Sequence, residues 1–268
     1  MITLFTTPRP FEGYYAYLQT NALKSWSLLD PKAHRVIVYA DEHNEGLEPF
    51  ELASQLGFDT ASVGERTERG VPLLSFMFKD AQDRADETET MPCYVNADII
   101  MSTNAVEAVH MAASCFPHGR YKKCLIVARR WNVQVLEYLD FEEGWWDELW
   151  YKVELQGSQS PECAIDLFAW KDDRADEGDG RVFPTFMPFA IGRYSWDNAL
   201  VSAALGSGAA VVDITPVLKI IHQPHDNVPW HEPDADYNRT LTTSYSGLKD
   251  STHTLTKEGL VDGWRAKG

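Results

Sequence analysis

Three short segments of the chain hold residue types that could do chemistry. In Tyr94-Val-Asn-Ala-Asp-Ile-Ile100 an apolar run is broken by Asn96 and Asp98, with small Ala97 between them, and then resumes. Ligands of a parallel sheet sit beyond the carboxyl ends of its strands, so an acid at that end faces a crevice. Asp98 is therefore a candidate ligand for Mg2+ or Mn2+, hard cations that take one or two carboxylates and fill the rest of their shell with phosphate oxygens and water. Asn96 would then meet a ribose or a metal-bound water. The same triplet also suits an Asx-turn that ends a strand.

Ile220-Ile-His-Gln-Pro-His-Asp226 again follows an apolar run, and two histidines three apart with an adjacent carboxylate suit a metal corner. His222 is the first choice of ligand and His225 its reserve; loop-bridging histidines are the alternative. Gly192-Arg-Tyr-Ser-Trp-Asp-Asn198 leads into a helical pattern. Asp197 falls in the first helical turn, where the helix dipole favours a carboxylate. Beside Trp196 it is a candidate general base for a hydroxyl proton. A helix-start carboxylate without a catalytic role is the competing reading.

The elements that must position these residues alternate. Residues 2–6 read as a strand that stops at Pro8 and Pro10, and 14–29 as a helix with apolar residues at Tyr14, Tyr17, Leu18 and Ala22. Residues 36–40 form a continuous apolar run, the pattern of a strand buried on both faces. Helices are expected at 49–56 (closed by Gly57), 73–84 and 105–113, and strands at 93–95 and 125–128. This alternation implies right-handed crossovers and a mostly parallel sheet flanked by helices. Further on, 196–205 reads as a helix and 209–213 and 217–221 as strands. Residues 142–157, acidic and rich in tryptophan, and 172–181 are expected as loops. After Asn227 the chain turns polar, so 1–226 is expected to be the domain and 227–268 a tail packed on it.

Size and composition agree with one α/β domain. The chain has 268 residues, 44% of them hydrophobic and 12% aromatic, enough for a filled core. Its formal net charge of −16 argues against a nucleic-acid or anionic-membrane partner, both of which need a basic surface. Cys93, Cys115, Cys124 and Cys163 form no CxxC pair, so neither a disulfide framework nor a structural zinc site is expected. No signal-peptide pattern and no run of about 18 apolar residues is present, so a cytoplasmic protein without an integral membrane span is expected. Asn238-Arg-Thr240 fits the glycosylation pattern, a frequent chance match.

Taken together and in this order, the three segments resemble a family of bacterial and viral GT-A glycosyltransferases. Members pair a strand ending Asn-Ala-Asp-Ile-Ile with a later Gly-Arg-x-x-Trp-Asp-Asn and a His-Gln-x-His-Asp. Phe5-Thr-Thr-Pro-Arg-Pro-Phe11, Asn21-Ala-Leu-Lys-Ser-Trp26, Gly70-Val-Pro-Leu-Leu74 and Ala128-Arg-Arg-Trp131 extend the similarity over roughly residues 2–226. The resemblance implies a GT-A (Rossmann-like) fold, a nucleotide-diphosphate sugar donor, a glycan or other hydroxyl acceptor, and Mn2+ or Mg2+ as cofactor. Thr6, Thr7, Pro8, Arg9, Asp41, Leu73, Asn96, Ala97 and Asp98 would belong to the donor side. Arg129, Arg130, Asp166 and Trp196 would belong to the sugar or acceptor side, and Asp98, His222 and His225 to the metal.

The chain departs from the family in carrying Asn96 where Asp-x-Asp is usual, and Ala128 where Gly often precedes Arg-Arg. The expected reaction is a hexosyl or deoxyhexosyl transfer with inversion, Asp197 taking the acceptor proton. Trp230-His231 resembles the C-terminal region of retaining enzymes of the same fold, which leaves retention as an alternative. A catalytically inactive binder of nucleotide sugars or glycans, supported by Asn96, is a second alternative. A nucleotidyltransferase ranks lower because Thr6-Thr-Pro-Arg-Pro10 lacks the glycines of a phosphate loop. A lectin-like module would explain the tryptophans and leave the strand-end Asp and His unexplained.

Overall fold

A computed structural model describes residues 1–40, 48–116, 122–176, 180–225 and 233–263. The chain begins with β1 (Ile2–Thr6), α1 (Tyr14–Ser27), β2 (His34–Ala40), α2 (Glu48–Gln55), β3 (Asp59–Ser62), α3 (Leu74–Glu87) and β4 (Met91–Val95). These strands lie side by side in the order β4-β1-β2-β3, all parallel. After β1 the chain winds outward through β2 and β3, then returns to place β4 on the other side of β1. The order reverses between β1 and β4, and the carboxyl ends of two such strands splay apart into a crevice. Thr6 ends one of them and Asn96-Ala-Asp98 follows the other.

The middle of the chain supplies β5 (Ile99–Met101), α4 (Ala105–Ser114), β6 (Cys124–Arg129), β7 (Trp131–Asn132), α5 (Trp145–Gln156), β8 (Ser158–Gln159) and β9 (Ile165–Lys171). The remainder supplies α6 (Trp196–Gly206), β10 (Ala210–Asp213), β11 (Ile220–His222), α7 (Pro233–Leu241), β12 (His253–Thr256) and β13 (Gly259–Asp262). The nine-stranded sheet reads β13-β12-β10-β6-β9-β4-β1-β2-β3. Strand β9 runs against both of its neighbours and β13 against β12; the other pairings are parallel. A second, four-stranded sheet reads β5-β11-β7-β8.

Strand alternation sorts side chains onto two faces. Ile2, Leu4, Val36, Val38, Cys93, Val95, Cys124 and Ile126 pack with α1, α2 and α4 through Leu23, Trp26, Ala53 and Val109. Phe5, Ile37, Tyr39, Tyr94, Leu125 and Val127 pack the other way, against Phe78 of α3 and Leu200 of α6. This double burial is why the strands read as continuous apolar runs. The expected mostly parallel α/β sheet flanked by helices is the architecture found. All four cysteines are free, and no helix among the described residues is long and apolar enough to cross a membrane.

Three segments differ from their sequence-level reading. Most of 142–157 is helix, not loop: α5 places Leu149 and Val153 against Val133 and Ile221, with Trp145, Trp146 and Trp150 beside them. Its apolar residues recur at helical spacing, and Asp147 and Glu148 sit in the first turn, where the dipole favours acids. The strand expected at 217–221 starts at Ile220. Beyond residue 227, expected as a covering tail, β12 joins the large sheet beside β10, and α7 docks on the chain before α6. Asn238 of α7 is fully buried, its amide bonded to Ala190 at both ends (2.8 and 3.0 Å). It is a structural clamp for the segment that leads to Asp197, and is closed to a glycan.

Candidate functional site

The small sheet builds the first corner of the site. At the end of β4 the chain turns through Asn96-Ala97-Asp98, closed by the Ile99 N–H on Asn96 O at 3.1 Å, and enters β5. Strand β11 lies antiparallel to β5 with His222 opposite Ile99, so Asp98 and His222 are neighbours. His225 arrives three residues later. Asp98 Oδ2 stands 2.9 Å from His225 Nε2 and 3.4 Å from His222 Nε2. The three side chains offer ligand atoms that all lie within 4.8 Å of one another, a group that could hold a metal ion.

The donor set fits such an ion. Asp98 Oδ1 is buried and meets no hydrogen-bond donor among the described residues. Burial pushes the Asp98 carboxyl up, but the two imidazoles more than offset it and hold it well below the usual carboxylate range. The corner therefore carries an ionised carboxylate with one oxygen uncommitted, facing two nitrogen ligands.

A polar clamp fixes this corner from beneath, and it was missed in the sequence. Gln223, fully buried, donates to Leu18 O (2.8 Å) and Asp98 O (3.2 Å) and accepts from Asn21 Nδ2 (3.1 Å). Asn21 also donates to Glu137 O at 2.9 Å and accepts from the Leu139 N–H at 2.8 Å. The available signal was Asn21 itself, a polar residue on the buried face of α1 between Leu18 and Ala22. A buried amide of this kind is kept because its hydrogen bonds are made.

The large sheet supplies the second group. Asp166 of β9 is fully buried, and its Oδ1 accepts from Asn96 Nδ2 at 2.8 Å and Arg130 Nη1 at 2.5 Å. Asp166 Oδ2 meets no donor among the described residues. Burial works against the Arg130 charge, yet Asp166, Asp98 and Asp197 hold its pKa above the ordinary value. Asn96, expected at a ribose or a metal-bound water, has its amide engaged within the protein instead, since its Oδ1 accepts from Tyr94 OH at 2.9 Å. An ionised aspartate here would face Asp166 and could not donate to it.

Asp197 lies in the first turn of α6. Trp196 is its first residue, and Ser195, just before the helix, is held in the left-handed region at φ 50°. For a residue with a Cβ this conformation costs on the order of 1 kcal/mol, and such positions persist where the surroundings over-determine them. Here Asn238 Nδ2 reaches Tyr194 O at 3.3 Å, and Asn198 Nδ2 bonds Cys163 O and Ser246 O, both at 3.1 Å. Burial, reinforced by the nearby Asp166 charge, pushes the Asp197 carboxyl up to about 7, against the lowering pull of the backbone N–H groups of Asn198, Ile165 and Asp197.

The remaining candidates fall in different places. Thr6 is buried with its Oγ1 unpartnered among the described residues, and Thr7, Pro8 and Arg9 are half-buried. The Arg9 backbone is tied at both ends to Gln19 (2.6 and 3.0 Å), and its guanidinium lies over Tyr15, whose ring is 5.3 Å from that of His225. The β1 loop is thereby joined to the corner. Arg129 donates through Nη1 to Ser160 O at 3.1 Å. Leu73 precedes α3, its N–H on Glu65 O at 2.9 Å, paired with Ala190. Trp196, expected at the sugar or acceptor side, is a core residue: it is 5% exposed, with its ring against Tyr94, Phe168 and Phe78. The hydrophobic gain from burying so large a ring outweighs presenting it to solvent. Asp41, and Trp230-His231, lie outside the described residues.

The chain matches no protein-family profile and no curated protein. Among solved structures it is similar to Staphylococcus aureus TarS 1–349 in complex with UDP-GlcNAc, at 14% identity and TM-score 0.36, over 53% of this chain and 38% of that one. The same fragment in complex with UDP is similar at 14% identity and TM-score 0.35, over 53% and 39%. The chain thus spans well under half the length of these relatives, and a likeness so distant carries no argument about chemistry. Fold and site by themselves define a mixed α/β protein with an Asp-His-His group beside a buried Asp-Arg pair.

Proposed function

We propose that this protein is a metal-dependent glycosyltransferase that moves a sugar from a nucleotide-diphosphate donor to a hydroxyl acceptor with inversion. One observation carries the reading. Two carboxylates around Arg130 are driven in opposite directions, Asp98 kept ionised beside two imidazoles and Asp197 raised to about 7. Opposed environments of this kind assign different chemical tasks to identical side chains.

Asp98, His222 and His225 would hold the cation, which when bound supplies positive charge at the departing diphosphate. Two imidazoles favour Mn2+ over Mg2+, whose preference for oxygen is stricter. Asp197, half-protonated near neutral pH, accepts the hydroxyl proton of the acceptor as that oxygen attacks the anomeric carbon. Arg130 and Asp166, with Arg129, lie on the sugar side, while Thr6, Thr7, Pro8 and Arg9 line the nucleotide side. The catalytic domain takes in residues beyond 226 as well, since β12 and β13 extend its sheet and Asn238 of α7 steadies the approach to Asp197. The likeness to structures determined with UDP-GlcNAc and UDP is in keeping with this reading without bearing its weight. Asn96, engaged as a donor to Asp166, weakens the case for a degenerate binder that has lost a metal ligand.

The test is direct. The protein is incubated with UDP-, GDP- and dTDP-sugars, with and without Mn2+, and free nucleotide is measured alongside the melting temperature. One donor is expected to raise the melting temperature and to release nucleotide only with the metal present. Turnover undiminished by EDTA would overturn metal dependence, and stabilisation without nucleotide release, with or without hydroxyl acceptors, would leave only a binding protein.

A further inference from the structure

Asn132 has no part in the reading above, yet the small sheet sets it in line with the metal corner. Ile99 of β5 pairs with His222 of β11, and His222 pairs with Asn132 of β7. The Val133 N–H on His222 O at 3.2 Å locks that register. Laterally paired residues project to the same face of a sheet, so Asn132 stands beside the His222 imidazole.

Asn132 Oδ1 lies 3.0 Å from His222 Nδ1 and 3.2 Å from Arg130 Nε. A guanidinium only donates, so the amide atom facing Arg130 is the oxygen. His222 Nδ1, facing that same oxygen, must then carry a hydrogen. A neutral imidazole with its one N–H on Nδ1 would offer a cation the lone pair of Nε2, the nitrogen turned toward Asp98. Arg130 is in turn anchored on Asp166 at 2.5 Å, so the orientation of the Asn132 amide is set two links away, by a fully buried carboxylate.

We propose that Asn132, oriented by Arg130, is the positioning residue of this corner: it holds His222 in the Nδ1–H tautomer and thereby presents Nε2 as a ligand atom. Partners that fix the tautomer of a ligating histidine typically change metal affinity 10–100-fold when removed. The inference rests on the metal reading of Asp98, His222 and His225. It adds to that reading a residue on a separate strand that touches neither ion nor substrate. It also makes Arg130 common to both halves of the site, since the guanidinium that neutralises Asp166 also sets the amide that orients His222.

The experiment uses the full chain with 15N-labelled histidine. Mn2+ affinity is measured by electron paramagnetic resonance, and the His222 tautomer by NMR of the metal-free protein at pH 8. Asn132→Leu keeps the size and removes the acceptor. It is expected to weaken Mn2+ binding about 10–100-fold and to give His222 a mixture of tautomers. Asn132→Asp keeps an oxygen in place and is expected to retain both the tautomer and an affinity within about threefold of wild type, well inside that range. A lesion of folding would weaken the two variants alike, so equal loss in both overturns the inference. So does wild-type affinity, or an undisturbed Nδ1–H tautomer, in Asn132→Leu. Wild-type protein that binds no Mn2+ overturns the metal reading itself, a result distinct from the others.

Discussion

Asp98 and Asp197 are the same chemical group placed in two kinds of surroundings, and the contrast organises the site. Asp98 leaves a strand end among imidazoles, its carboxyl held far below the ordinary range. Asp197 sits at a helix start where burial and the charge of Asp166 outweigh the backbone N–H groups, and it rises to about 7. Helix dipoles alone would lower an acid at that position. Desolvation wins here because a carboxylate crowded by protein atoms loses more in hydration than a few N–H bonds return. The lesson is that neighbours decide which carboxylate carries charge and which can exchange a proton.

The comparison is broken most severely at the metal corner. Asp98→Ala is expected to abolish Mn2+ binding and to lower kcat by about 10^3-fold or more, the scale of several kcal/mol of transition-state charge stabilisation. Activity within tenfold of wild type would remove Asp98 from the reaction. Asp197→Asn is expected to lower kcat by about 10^2–10^4-fold while leaving donor binding intact, as read by the melting-temperature shift. Full turnover in that variant would reassign the base.

The pH dependence sharpens the contrast further. Below about 7 Asp197 holds a proton, so kcat/KM should rise with pH up to that value and level off above it. Its folded-state pKa lies above the ordinary 3.8, so the folded state binds the extra proton between 3.8 and about 7. Stability from this group therefore falls as pH rises through that window and stays low above it. Asp197→Asn should stabilise the fold more at pH 8 than at pH 4, by on the order of 1–4 kcal/mol in urea unfolding. Asp98 has the opposite sign: its depressed pKa contributes stability above the ordinary carboxylate value that is lost as pH falls. The smallest expected effect is at Trp196. Trp196→Phe should cost about 1–3 kcal/mol of stability with acceptor KM unchanged, because the ring packs in the core. A selective rise in acceptor KM would return Trp196 to the binding surface.

Much of the fold was legible. Strands β1, β2, β4 and β6 and helices α1, α3, α4 and α6 announce themselves by uninterrupted apolar runs and helical spacing, because each is buried on one or both sides by its own neighbours. Helix α5 was misread because tryptophan and acid residues in one segment suggest an exposed loop, whereas its buried stripe is narrow, Leu149 and Val153 alone being fully covered. The clustering of Asp98 with His222 was readable as two polar interruptions after apolar strands. His225 was legible only as a reserve for His222; that both would meet one oxygen was not, since the turn between them is fixed through Gln223 by Asn21, 202 positions away.

Residue order alone marked out which strands are buried on both faces, and which side chains able to bind a cation or take a proton stand at their ends. Periodicity and side-chain chemistry are local, and each residue carries them into any fold. Folding was needed to commit Asn96 to Asp166, to turn Trp196 inward, and to give two aspartates opposite affinities for a proton. Those outcomes depend on desolvation and on charges brought close by strand register, and neither exists until distant segments have met.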